Sequence, residues 1–289
     1  MALGWITLSG FFLRQKTLRV ISSIIAQSVQ VSARLFVFLT ILAHLKMTSQ
    51  QSSTPFSRFA LVTPRLIIVP TPLAISIPAY VTLFANLLAD TSFCEMGFGD
   101  KFPVVKRTQE EMHNSIATRD IAQCWEKRGL GTFAVGWRPK EWSDHAMSRS
   151  LKDASEKVRI IDGDEMDNVC RILGDIEWLG YAGVRDATTT SLPPRDDSDD
   201  PLPPWQEMVE MLYGVAPAYW GQGVAREAAE AVMQWAAEEK GVRRFIAETE
   251  KPNARSGRVL EKMGFRKSCS KYWKNDDEFE WERDARSLE

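Results

Sequence analysis

Gly221 and Gly223 stand on either side of Gln222, directly ahead of an amphipathic run from Gly223 to Lys240. Glycines so spaced let main-chain N–H groups come close to a ligand, because no Cβ intervenes. A helix that starts there adds the positive end of its macrodipole, roughly half an elementary charge. The chemistry this suits is the holding of a diphosphate. Two common diphosphate-binding turns fail on the flanking residues. A Walker A loop needs Lys and then Ser or Thr after its last glycine, and this chain has Val224 and Ala225. A dinucleotide-binding Rossmann turn finds its second strand, Arg243 to Thr249, and an acidic residue in Glu248 or Glu250, but its third glycine position is Arg226. That side chain is too bulky for close helix–strand packing. The glycines also come late, behind Ala216 to Trp220 rather than on the end of the preceding strand.

The flanking pattern predicts the elements that hold this turn. Met208 to Val215 reads as the strand before it. Val224, Ala228, Val232, Trp235 and Ala236 make the apolar face of the helix after it, with Glu227, Glu230, Gln234 and Glu238 toward water and Gly241 as the stop. Asn253 to Met263 reads as a short helix, and Phe265 to Trp273 with Glu278 to Glu282 as an antiparallel pair turning at Asn275 to Asp277. Upstream, Arg65 to Val69 reads as a strand and Pro78 to Leu88 as a helix. Thr108 to Glu111 is a capping-box pattern opening a helix that ends at Gly129. Gly131 to Trp137 and Ile172 to Val184 are strand candidates, separated by a charged insertion from Pro139 to Asp167. Asp186 to Pro204, rich in Asp and Pro, reads as a mobile acidic loop with no apolar area to bury. The sum is one α+β domain, residues 59–285, behind an extension of residues 1–58.

Glu210 to Tyr213 through Pro217, Tyr219 to Ala228, Asn253-Ala254-Arg255-Ser256 and Glu261 to Phe265 together resemble the GNAT acyl-CoA-dependent N-acetyltransferases, most closely the branch of the ribosomal-protein alanine acetyltransferases RimJ and RimL. The resemblance is strong over residues 208–266 and weak before Leu173. It implies the GNAT fold, a mostly antiparallel twisted sheet flanked by helices. It also implies acetyl-CoA as cosubstrate, with its diphosphate on the amides of Trp220, Gly221, Gln222, Gly223, Val224 and Ala225 and further contacts from Tyr213, Val215, Asn253 and Ser256. The family pattern has Arg or Gln where Trp220 stands, which removes a possible charge contact.

Transfer to an amine needs a free lone pair. For a lysine-like amine of pKa about 10.4, deprotonation at neutral pH costs roughly 4–5 kcal/mol. Glu210, on the strand before the turn and at a position where this branch carries an acid, is the expected base; a solvated strand-face carboxylate is its bland reading. Many GNAT enzymes protonate the departing thiolate with a tyrosine on the helix after the fifth strand, and Asn253 to Met263 has none, which leaves Ser256 as the available hydroxyl. Asn253 has a competing reading as a helix cap after Pro252. His113 is the reserve base, with a surface histidine as its bland reading, and Trp125, Trp137, Trp178 and Trp235 read as core. The acceptor is a primary amine, on a protein N-terminus or a small molecule. The reading from another class is a catalytically silent acyl-CoA-binding sensor.

Composition excludes other classes. Net charge is −2, so no bulk nucleic-acid affinity follows. The four cysteines lack C-x-x-C spacing and read as reduced thiols, and the three histidines avoid the motif region, so no metal site is expected. Residues 1–89 carry no Asp or Glu, while Arg14, Lys16, Arg19, Arg34 and Lys46 punctuate apolar residues. That balance fits a mitochondrial presequence, a dispensable extension with translation starting at Met47, or a membrane-associated helix; the apolar run Leu35 to Leu45 is too short for a span. Cytoplasmic location is expected, with a mitochondrial one as the alternative, and a monomer or dimer.

Overall fold

The computed structural model describes residues 56–99, 102–140, 149–151, 157–197 and 199–288. Nearly all of the predicted extension lies outside them. In chain order the elements are β1 (Phe59–Val62), β2 (Leu66–Pro70), α1 (Thr71–Ala74), α2 (Pro78–Leu87), α3 (Thr91–Phe98), α4 (Gln109–Ser115), a π-helical stretch (Ile116–Trp125), α5 (Glu126–Arg128) and β3 (Thr132–Trp137). There follow β4 (Arg149–Ser150), β5 (Arg159–Asp162), α6 (Met166–Ile172), β6 (Trp178–Asp186), α7 (Ala187–Thr190), β7 (Val209–Val215), α8 (Val224–Lys240), β8 (Arg244–Glu250), α9 (Ala254–Lys262), β9 (Arg266–Lys267) and β10 (Glu278–Asp284).

All these strands form one sheet in the order β4-β5-β1-β2-β3-β6-β7-β8-β10-β9. Among the described pairings only β7–β8 is parallel. This is the mixed, mostly antiparallel α+β sheet expected. One face packs on α8, where Trp235 meets Phe59, Trp125 and Phe133 with ring centroids 5.3, 5.8 and 5.1 Å away. The other carries α2, α4 and α6 through Tyr80, Val81, Met112, Met166 and Val169.

Local signals set the helix ends. Thr108 and Glu111 make the reciprocal capping box that opens α4, and Gly129, with φ 63°, ends the run at α5. Gly241, with φ 68°, stops α8. Among the described residues no helix is long and apolar enough to cross a membrane.

Three expectations are corrected. Ile172 ends a helix rather than starting a strand, because Met166, Val169 and Leu173 bury one side at helical spacing; the strand begins at Trp178. The charged insertion supplies β4 and β5, whose Ile160 and Ile161 alternate onto the two cores as β5 pairs with β1. The acidic loop is pinned, not a free tether. Asp186 is buried, caps α7 through Thr188 N at 3.0 Å and binds Arg128 at 2.8 Å. Leu192 and Leu202 pack on Met208 and Ile246, while Lys274 bonds Asp196 and Asp199, both at 2.8 Å. The few apolar residues of the loop, set among its charges, are enough to dock it. At the C-terminus the expected hairpin is present, but its first strand shrinks to Arg266–Lys267, and the turn rests on Asn275 Oδ1, which accepts from Asp277 N.

Candidate active site

β7 and β8 hydrogen-bond only at their starts, Val209 against Phe245 and Glu210 against Ile246. Beyond those pairs the strands part. β6 holds β7 over its whole length and β10 does the same for β8, so the gap is enforced from outside and the inner strand edges face a cavity. Its volume is about 770 Å³, and it runs from the glycine turn to the layer of α2, α3 and the π-helical stretch.

At one end, Gly221 and Gly223 adopt φ of 78° and 79°, left-handed conformations that disfavour any residue with a Cβ. Gly223 is the N-cap of α8 and offers no capping side chain, so the first amides of the helix, at Val224, Ala225 and Arg226, have no partner within it. All three residues line the cavity. Arg65 braces the turn from behind, donating to Gln222 O at 3.0 Å and pairing with Glu227 at 2.6 Å. Glu227 is therefore an anchor rather than a solvated face residue. Trp220 Nε1 donates to Val215 O at 2.6 Å, and the Arg255 guanidinium sits 5.3 Å from the Trp220 ring centre. A cation from α9 therefore stands beside position 220. Unpartnered amides, a helix N-terminus and nearby cations fit a diphosphate.

At the other end, Glu210 is buried and faces Arg185 directly across the β6–β7 ladder. The pair is bidentate, with Arg185 Nε to Oε2 at 2.9 Å and Nη2 to Oε1 at 2.7 Å. Ser191, from the acidic loop, donates a further hydrogen bond to Oε2. Burial works against the Arg185 charge, and Glu210 more than offsets it, so that guanidinium is held above its ordinary range. On the facing strand, Glu248 is half-buried and lines the same cavity. Its carboxyl is pushed up to about 9 by burial, by a hydrogen bond with Glu278 and by the charge of Glu210.

Between the two ends, Tyr213 and Ser256 join their hydroxyls at 2.7 Å. Burial pushes the Tyr213 phenol up to about 12. Asn253 caps α9, accepting from Ser256 N at 3.0 Å, and its amide nitrogen donates to Met96 O.

Residues 137–266 match the family model described as an acetyltransferase (GNAT) domain. The match runs from the end of β3 to β9, under half of the chain. The glycine turn, β7 and β8 all lie inside the matched stretch. Over 87 residues the chain is 31% identical to the FsC-acetyl coenzyme A-N(2)-transacetylase of Aspergillus fumigatus, a match covering 30% of this chain and only 37% of that protein's length. Solved structures similar to it include an acetyltransferase from Agrobacterium tumefaciens, with 18% identity, TM-score 0.48, and coverage of 81% of this chain and 98% of that one. RimL, a ribosomal L7/L12 alpha-N-protein acetyltransferase in complex with coenzyme A, has 13% identity and TM-score 0.45 over 77% of this chain and 96% of that one.

Within the matched stretch, Glu210, Tyr213, Val215, Trp220, Gly221, Gly223, Val224, Ala225, Asn253 and Ser256 all line one cavity. Gln222 does not; its side chain folds back onto Ala218 O at 3.2 Å. His113 is exposed and lies off the cavity. Trp125, Trp178 and Trp235 are buried in the cores, with Trp137 partly buried against one. Sequence reasoning missed Arg185, Ser191 and the Tyr213–Ser256 pairing, and weighed Glu248 only as a ribose-binding acid. For Glu248 a signal existed: it alternates with Phe245 and Ala247 on its strand, so it had to face away from the α8 core.

Proposed function

We propose that this protein is an acyl-CoA-dependent N-acetyltransferase that moves acetyl from acetyl-CoA to a primary amine by direct attack within a ternary complex. The observation that carries this is the split between β7 and β8, which joins an anion-holding turn to a chamber lined by Glu210 and Glu248 through one cavity. The amides at the start of α8 hold the diphosphate, and Arg255 adds positive potential beside them. The freed inner edge of β7 lies along the path from the turn to the chamber.

Acetyl-CoA brings the acetyl group as a thioester. Tyr213 and Ser256 keep their protons at neutral pH, since burial raises the phenol to about 12. What they offer a departing thiolate is therefore a hydrogen bond rather than a proton; bonds to charged groups contribute roughly 1.5–3 kcal/mol. Glu210, with both oxygens engaged by Arg185 and Ser191, holds that arginine at the cavity wall. The Glu248 carboxyl, facing the same cavity, gives an entering amine a hydrogen-bond partner. Among amines, the likeness of the motif residues to the RimJ and RimL branch favours a protein α-amine.

The test is release of free thiol from acetyl-CoA with the full chain and a panel of peptides with varied N-termini, polyamines and aminoglycosides. Amine-dependent release is expected for at least one class. Tight acetyl-CoA binding without release across the panel would instead support a silent acyl-CoA sensor.

A further inference from the structure

Glu210 was the carboxylate expected to take the amine proton, yet its surroundings leave it poorly placed to do so. Arg185 grips both oxygens, and Ser191 takes what remains of Oε2. With both oxygens so engaged, Glu210 has little left to offer an amine. Across the split stands a second carboxyl without a cationic grip. Glu248 lines the cavity from β8, and the group it bonds is another carboxyl, Glu278 of β10.

The geometry points to Glu248 as the residue that takes the proton from the acceptor amine. This rests on reading the site as an N-acetyltransferase centre. The charged groups around Glu248 are Glu210 on β7, Arg185 on β6, and Glu278 and Glu280 on β10, Glu280 being its register partner and already accepting from Ser270 and from the Tyr272 and Trp273 amides; Arg107, Arg119 and Asp120 line the same cavity. Burial and the carboxyl groups of Glu278 and Glu210 favour its protonated form, and Arg185, already engaged by Glu210, only partly opposes them. Its affinity for a proton, about 9, comes near the lysine-like value of about 10.4, where an ordinary glutamate at about 4.3 would be a poor match. An ammonium entering beside it replaces the shared carboxyl proton with a cation, so that one proton lies between nitrogen and Glu248.

The proton count closes. Of the three ammonium protons one stays on the product amide. Glu248 sheds its own proton to solvent as the ammonium enters and takes one ammonium proton in its place, which frees the lone pair and restores its resting form. A second leaves nitrogen as the C–N bond forms and the C–S bond breaks, and the sulfur takes one up from solvent, so amide, thiol and one proton emerge.

The experiment compares Glu248→Gln and Glu210→Gln in the full chain. Glu248→Gln is expected to lower kcat by about 10²–10⁴-fold, with acetyl-CoA affinity by calorimetry within about twofold and the acidic limb of the pH–rate profile abolished. Glu210→Gln removes a negative neighbour and frees Arg185, so the limb should survive and move to lower pH. The reverse pattern, a limb lost in Glu210→Gln and kept in Glu248→Gln, would overturn the assignment. A second measurement needs no acceptor: in protein with ¹³C-labelled glutamate carboxyls, the resonance missing from Glu248→Gln should titrate above pH 7. Titration in the ordinary carboxylate range would sink the inference even if thiol release is found. No release from any amine, with Glu248 titrating high, would sink the proposed function and leave Glu248 as an unused high-affinity proton site.

Discussion

The hydroxyl of Tyr213 on β7 lies 2.7 Å from Ser256 Oγ on α9, closing a contact across the β7–β8 split between residues 43 positions apart. α9 carries no tyrosine of its own, and β7 delivers one to its Ser256. If the pair bonds the departing sulfur, Tyr213→Phe should lower kcat by about ten- to a hundredfold, the range of one hydrogen bond to a charged group. Ser256→Ala should do the same, and the double variant should cost less than the product of the two. Strictly multiplicative losses, or a loss seen only in acetyl-CoA affinity, would remove the pair from the mechanism.

Gly223→Val should weaken acetyl-CoA binding by about tenfold or more while far-UV circular dichroism stays native. A Cβ at Gly223 would meet Arg65 Nη2 at 3.5 Å, an ordinary contact, so crowding by the protein is not the cause. The φ of 79° is: a left-handed residue with a Cβ costs roughly 1–2 kcal/mol, and relaxing it re-aims the amides that start α8. Unchanged affinity by calorimetry in a folded variant would move the diphosphate elsewhere.

Stability should respond to pH through Glu248. Its folded-state affinity for a proton is raised from the ordinary range to about 9, so the folded protein binds more protons than the unfolded chain between those limits. Stability from this group is therefore lost as pH rises through that window. Glu248→Gln should raise the melting temperature at pH 8 and leave it nearly unchanged at pH 4. Equal effects at both pH values would contradict the raised affinity.

Asn253→Ala removes the cap on Ser256 N and the bond to Met96 O. About 1 kcal/mol of stability should go with the cap, or roughly 2–4 °C in melting temperature. A shift below 1 °C would mean that α9 keeps its start without the cap.

Lys274→Ala should expose residues 186–204 to protease while leaving the rest of the domain resistant, because Lys274 is what the structure shows tying Asp196 and Asp199 to the C-terminal hairpin. Cleavage no faster than in the unaltered protein would show that Leu192 and Leu202 suffice to dock the loop.

What the sequence determined by itself was whatever depends on neighbours a few residues apart. The capping box at Thr108, the stop at Gly241, the buried stripe of α8 and the glycine turn ahead of it are set by side-chain spacing and backbone freedom, and all are visible in the string of residues. The acidic loop was misread for the same reason: its composition is solvated, but Leu192, Leu202 and Lys274 find partners far along the chain. Only the tertiary structure decided which carboxylate is gripped and which is not. Arg185 meets Glu210 through the register of β6 on β7, and Glu278, register partner of Glu250, reaches Glu248 from the diagonal position on β10. Such registers are fixed by burial summed over whole strands, so no local pattern around Glu210 or Glu248 could announce them.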